Sequence, residues 1–302
     1  MKKGCNLCPR NCFVDRAAGQ AGYCGQTDKL YVARAALHMW EEPCISGKEG
    51  SGTVFFCGCS LRCIFCQNHR IALGKEMSGK KIGKEISTGR LAEIFLELQK
   101  KGANNINLVT GTHYIPQICE ALKSAKAEGL SIPVVYNTSG YEKIESLHLL
   151  DGLVDIYLPD MKYVSGKLSK EYSNAEDYFD IASKALEEMV RQVGEPEFDE
   201  RGYLTKGVVV RHLILPGTTK DSKAVLEYLW NTYGNKIYIS IMNQYTPMEQ
   251  VKNHPLLSRK VTKREYSKVV DYALSRGWEN GFIQEGETAK ESFIPGFHGV
   301  GV

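Results

Sequence analysis

The chain has 302 residues, 43% of them hydrophobic and 24% charged, which suits a folded protein with one large domain and at most a small appendage. Its 38 basic and 35 acidic side chains leave a formal net charge of +3, too little for the electrostatic footprint of a nucleic-acid or anionic-membrane binder. No run approaches the roughly 20 apolar residues that cross a bilayer, and MKKGC has no apolar stretch behind it, so the expected location is the cytoplasm, where thiols stay reduced.

Ten cysteines in a reducing compartment call for a use other than disulfides. Four open the chain: Cys5, Cys8, Cys12 and Cys24 are spaced C-x2-C-x3-C-x11-C within a Cys-, Gly- and Arg-rich segment read as a separate metal-binding module over residues 1–50. Such a module has too little core to fold without a cross-link or a metal. Four thiolates suit tetrahedral zinc or an iron-sulfur cluster, and the sequence does not separate the two; free thiols packed against the next domain are the alternative. HMWEEPCISG (38–47) follows, with Glu41 and Glu42 either facing a substrate opening or solvated.

Over residues 51–302, short β-branched runs alternate with segments of helical period. TVFFC (53–57) is the first strand, and CGCSLRCIFCQN (57–68) follows it directly. Cys59, Cys63 and Cys66 form a C-x3-C-x2-C loop, able to hold three corners of a cubic iron-sulfur cluster and leave one iron open, whereas a closed site needs four ligands. Cys57 is still in the strand, where alternation turns it to the other face. Taken alone, the spacing also suits zinc. Residues 69–89, rich in Gly and Lys, read as an exposed loop.

Further strands are INLVT (106–110), IPVVYN (132–137), VDIYL (154–158), GVVVRHLIL (207–215) and KIYISIM (236–242), with helical segments such as IPQICEALKSAKAEG and EDYFDIASKALEEMVRQVG between them. Nearly continuous apolar strands separated by helices read as a parallel α/β sheet covered on both faces, either doubly wound or curled into a partial barrel. Ligands are then expected at the C-terminal ends of the strands, where the Cys59–Cys63–Cys66 loop sits. Cys44, Cys57 and Cys119 read as small apolar residues, while Gln244 and Tyr245, after the last strand, either touch a ligand or pack.

The loop CSLRCIFC (59–66), with Phe65 just before its last cysteine, resembles the cluster loop of radical S-adenosylmethionine (SAM) enzymes. Over essentially the whole chain the sequence is similar to the pyruvate formate-lyase activating enzymes, and more narrowly to an activating-enzyme-like group of unassigned function with an N-terminal CxxCPRxC module, here CNLCPRNC at 5–12. The resemblance implies a partial (β/α)6 TIM-type barrel with a [4Fe-4S] cluster on Cys59, Cys63 and Cys66, and SAM in its top. Thr110, Gly111, Thr112 and His113 stand where the family has a Gly-Gly-Glu turn that meets the SAM amino group, His113 replacing the acid. Asn137 stands in the turn after the third strand. Lys162, in Asp-Met-Lys, and Arg211, in Val-Arg-x-x-x-x-Pro-Gly, match cations near the methionyl carboxylate; pairing with Asp155 or Asp160 is their structural alternative.

The implied activity is reductive cleavage of SAM to a 5'-deoxyadenosyl radical that abstracts hydrogen, from a protein or peptide if the likeness to glycyl-radical activases extends that far. A low-potential donor such as flavodoxin or ferredoxin and an anaerobic setting are implied with it. Radical chemistry on a small metabolite or RNA is the second reading, and a non-catalytic iron-sulfur electron carrier the third.

Overall fold

A computed structural model describes residues 4–74, 81–284, 297 and 299–302. In chain order its elements are β1 (Leu30–His38), α1 (Pro43–Ser46), β2 (Ser51–Phe56), α2 (His69–Leu73), β3 (Lys84–Ile86), α3 (Thr88–Lys100), β4 (Ile106–Val109), α4 (Ile115–Ala127), β5 (Val134–Thr138) and α5 (Ile144–Leu147). There follow β6 (Ile156–Pro159), α6 (Gly166–Ser173), α7 (Tyr178–Val193), β7 (Glu197–Phe198), β8 (Leu204–Leu213), α8 (Thr219–Tyr233), β9 (Tyr238–Met242), α9 (Lys263–Ser275) and β10 (Gly281–Ile283).

The six strands legible in the sequence form one parallel run, β2-β4-β5-β6-β8-β9, and β10 adds to it in parallel. This is a partial (β/α)6 barrel with a Cys-rich N-terminus. Register explains which side chains reach the interior. Val54, Leu108, Tyr136, Tyr157 and Val208 lie side by side across five strands, all fully buried in the main core under the helices. One residue along, Phe55, Val109 and Asn137 form the next row and face the barrel cavity, as strand alternation requires. The sheet's outer face is covered by amphipathic helices: α7 buries Tyr178, Ala182, Ala185, Met189 and Val193, spaced one helical turn apart. Its large buried side chains are each worth about 1.5–3 kcal/mol. Ser87 caps α3 by accepting from Arg90 N, and Thr262 and Glu265 form a reciprocal capping box on α9.

Among the described residues, four strands lie outside the six expected ones. β1 pairs antiparallel with β2, and β3 pairs antiparallel with β1; β7 makes a hairpin contact with β8. Strands β3, β7 and β10 have three, two and three residues, too few to show a period. The stretch 69–89, expected as a loop, carries α2 and β3 at its ends, and residues 75–80 lie outside the described residues. Among the described residues no helix is long and apolar enough to cross a membrane.

Candidate active site

The loop after β2 begins at Gly58, whose φ of 91° lets the chain turn where a Cβ would stand 2.8 Å from the Cys24 carbonyl oxygen. Beyond it, Cys59, Cys63 and Cys66 all line one cavity of about 150 Å³. Leu61 N donates to Cys59 Sγ at 3.3 Å and Ser173 Oγ to Cys63 Sγ at 3.0 Å. Burial pushes the Cys63 thiol up against an opposing pull from Lys162, and burial, reinforced by the sulfurs of Cys63 and Cys59, raises Cys66. Donors aimed at sulfur, with a cation close by, are what a cluster-bearing thiolate requires. Among the described residues no three His, Cys, Asp or Glu side chains converge as around a single metal ion. A cubane makes no such demand, since each thiolate holds its own iron, so the three-thiol loop fits it. Phe65 is packed edge-on among Tyr163, Tyr172 and Tyr245, with centroids 6.5, 6.3 and 6.4 Å away.

Facing the sulfurs across the same cavity are Asn137, Asp160, Lys162 and Arg211. Lys162 Nζ lies 2.6 Å from Asp160 Oδ2, and Arg211 spans Glu41 Oε2 at 3.1 Å, Asn137 Oδ1 at 2.6 Å and Asp160 Oδ1 at 3.4 Å. Burial on its own would raise the Asp160 carboxyl, but the two cations outweigh it and hold it below its usual range. Burial likewise opposes the Lys162 charge and is overcome by Asp160 and then Cys63. The pairing with Asp160 is thus present, while Asp155 is occupied elsewhere, accepting from Val134 N at 2.8 Å.

In the turn after β4, Thr110 lines the cavity and has a φ of 61°, an outlying value for a β-branched residue. His113 is turned to the N-terminal side of the loop: its Nε2 lies 2.7 Å from the Cys57 carbonyl oxygen and its ring packs on Tyr114. Burial, opposed by that bond, brings its pKa down to about 3, so the ring is neutral and Nε2 carries the proton. A Cβ on Gly111 would press on Ile118, which ties the turn to α4. Thr112 Oγ1 donates to Glu142 Oε1 at 2.6 Å, and Thr138 Oγ1 donates to the same oxygen. Sequence reasoning missed Glu142, a fully buried acid that joins the turns after β4 and β5; nothing in its neighbourhood, SGYEKI, marks it.

Burial pushes the Glu142 carboxyl from 4.5 to about 7, against the pull of the two threonines. An acid whose pKa is raised by folding favours the folded state below its unfolded pKa, and that contribution is lost as pH rises through the folded value. Glu142→Gln should therefore gain stability over the parent as pH rises from about 4.5 to 7, by on the order of 3 kcal/mol above that window. Urea unfolding of both proteins between these pH values and 8 checks this, and a difference that stays flat with pH would refute it.

The N-terminal cysteines also gather. Burial, then the neighbouring sulfurs of Cys24 and Cys5, pushes the Cys8 thiol up to about 12, and Cys24 is raised by burial and then by Cys5 and Cys12. Arg10, between Cys8 and Cys12, docks this module on the cluster loop: Nε donates to Ser60 O at 2.8 Å and Nη2 to Ser173 O at 2.9 Å, while the guanidinium lies 4.1 Å from the Tyr23 ring. Among the other cysteines, Cys57 donates to Ile82 O at 3.1 Å, Cys119 to Leu149 O at 3.2 Å, and Cys44 sits in a small apolar cluster. Tyr245 is buried with its hydroxyl on Leu257 O at 2.5 Å, whereas Gln244 lines a second cavity of about 570 Å³ that opens from the first and shares Cys63, Cys66, Asn137, Lys162 and Arg211 with it.

Comparison with known proteins agrees with this geometry. The profile of the radical SAM superfamily matches residues 53–229. An uncharacterized protein of Methanocaldococcus jannaschii is 29% identical over 275 residues, 90% of this chain and 74% of that one. Among solved structures, the FeFe-hydrogenase maturase HydG from Carboxydothermus hydrogenoformans superposes with a TM-score of 0.54 at 13% identity, over 80% of this chain and 55% of that one. Methylornithine synthase gives 0.50 at 12% identity, over 72% of this chain and 60% of that one. At such identities the likeness is one of fold, and this chain spans little more than half the length of either enzyme.

Proposed function

Because the chain belongs to the radical SAM superfamily, whose members are enzymes that use a [4Fe-4S] cluster and SAM, we propose that Cys59, Cys63 and Cys66 hold that cluster and that the enzyme takes hydrogen from a protein or peptide, as glycyl-radical activases do. The observation that carries the reading is the single cavity in which these three thiols face Asn137, Lys162 and Arg211. When bound, cluster and SAM supply a carbon-centred oxidant strong enough to take a hydrogen atom.

The chain's own residues do the remainder. Burial holds Cys63 toward its thiol, and Lys162 opposes it, drawing the sulfur toward the thiolate a cluster needs. Lys162 and Arg211 can neutralise the methionyl carboxylate, sharing their charge with Asp160, since a carboxylate taken into a closed barrel needs a cation. Asn137 and the backbone at Thr110 offer polar contacts, the neighbouring Gly111 and Thr112 hold the turn, Phe65 fixes the loop, and the barrel wall excludes water from a reactive intermediate. His113 is assigned to holding the loop through Cys57. Cys5, Cys8, Cys12 and Cys24 would carry a second metal, zinc or an iron-sulfur cluster; as no three such side chains converge on one point among the described residues, the cluster fits them better than zinc. A flavodoxin or ferredoxin in an anaerobic cytoplasm is the proposed electron donor.

The cavity of about 570 Å³ has the size of a small-molecule site and favours a metabolite as the second reading. Candidate partner proteins labelled with α-deuterated glycine separate the two. Transfer of one deuterium into 5'-deoxyadenosine, with a glycine-centred radical signal, is expected of an activase. Unlabelled nucleoside from every partner tested would move the reading to the metabolite.

A further inference from the structure

We propose that the barrel cavity receives a ligand carrying an ammonium or guanidinium group and that Glu42 is the residue that binds it; the inference rests on the assignment of this cavity as the substrate site. The parallel run ends at β10 on one side and β2 on the other, and the connection from β1 to α1 brings Trp40, Glu41 and Glu42 to the cavity wall. Among the described residues, the charges on that wall do not balance. Asp160, Glu41 and Glu42 face two cations, Lys162 and Arg211. Both cations are engaged, Lys162 by Asp160 and Arg211 by Glu41 and Asp160. His38, on the same wall, adds no charge, because burial first, and Arg34 and Arg211 after it, bring its pKa down to about 4.

Glu42 is the carboxylate in excess. It is 7% exposed, and among the described residues its Oε2 has no hydrogen-bond partner. Its surroundings soften the charge through the Ser240 hydroxyl, its own backbone N–H and the field of Arg211, but burial outweighs them and favours the protonated form. A buried carboxyl left in this state is stabilised either by a proton or by a cation brought from outside. The cofactors supply no spare cation, since a cluster on three thiolates is an anion that offsets the sulfonium, and the ammonium and carboxylate of SAM offset each other. Trp40, Phe55 and Phe282 line the same cavity, and aromatic faces beside a carboxylate are the usual surroundings of a bound ammonium or guanidinium. A permanent proton on Glu42, with no ligand role, is the rival account, and it predicts no preference among ligands.

The test uses the full chain, reconstituted anaerobically and loaded with SAM but not reduced. The N-acetyl methylamides of lysine, arginine, norleucine and glutamate are titrated by saturation-transfer NMR. The parent should bind the lysine or arginine derivative at least about tenfold tighter than norleucine. Glu42→Gln should lose that preference while holding norleucine as before. Equal binding of cationic and neutral probes by the parent would overturn the inference, as would an undiminished preference in the variant. The parent ratio decides by itself if the variant does not fold. Failure of the radical SAM reading is distinguishable: the reduced parent would then make no 5'-deoxyadenosine while the cation preference stood.

Discussion

Cys63→Ala is expected to lose the cluster's iron and acid-labile sulfide and to cut SAM cleavage by more than about 1,000-fold, equivalent to about 4 kcal/mol of barrier. The substitution removes one of three thiols that line the same cavity and leaves the donor Ser173 Oγ, 3.0 Å from that sulfur, without its acceptor. With no protein ligand in reserve, one corner of a cubane would have no anchor. Cys57 stands only two residues from Cys59, yet its thiol is spent on Ile82 O, and burial pushes it up to about 12. Cys57→Ala should therefore keep the cluster and lose only packing and the weak bond to Ile82 O, roughly 1 kcal/mol. Absorption spectra and iron assays on both variants decide the assignment: a cluster kept by Cys63→Ala, or lost by Cys57→Ala, would refute it.

Arg211→Leu should destabilise the folded chain by about 3–5 kcal/mol, because it strands two largely buried carboxylates. Glu41 and Asp160, whose side chains are 8% and 17% exposed, both reach this guanidinium, and Asn137 takes a third bond. Lys162 would remain to Asp160, but Glu41 would keep only Asn107 Nδ2, at 3.1 Å. Adding Glu41→Gln to the leucine variant should recover at least about 1 kcal/mol, the coupling expected of groups in one network. Arg211→Lys would retain the charge and lose the planar fork, so it should fold better than the leucine variant and still bind SAM more weakly than the parent. Urea midpoints for the set measure these differences. Additive single and double variants would mean that the network does not exist.

How the fold could be read in advance follows from these particulars. The six parallel strands are apolar runs with helices between them, a pattern that survives without any neighbour in view. β1 escaped because LYVARAALH interrupts its apolar positions with Arg34 and lies in a segment whose cysteines and glycines dominate its composition. The three-cysteine loop stands out in local spacing, and its thiols line one cavity. Lys162, Arg211, Asn137 and Thr110 all line the cavity shared with the three thiols, since each stands at or beside a strand end. What sequence could not show is pairing between distant elements. Glu142 meets Thr112 across 30 positions, Arg10 reaches Ser60 and Ser173, and Glu42, in the sequence one of two acids in a linker, is a buried carboxyl whose Oε2 has no hydrogen-bond partner among the described residues. His113 shows the converse, for its place in the motif suggested a cofactor contact while tertiary packing gives it to Cys57.

Cys59, Cys63 and Cys66 are proposed to make this chain a SAM-cleaving enzyme. The most direct measurement is the formation of 5'-deoxyadenosine and methionine by anaerobically reconstituted protein after reduction with dithionite and addition of SAM. Both products are expected in equal amounts from the parent and neither from Cys63→Ala. A parent protein with a full complement of cluster iron, shown by titration to bind SAM, that left the SAM intact would contradict the proposal.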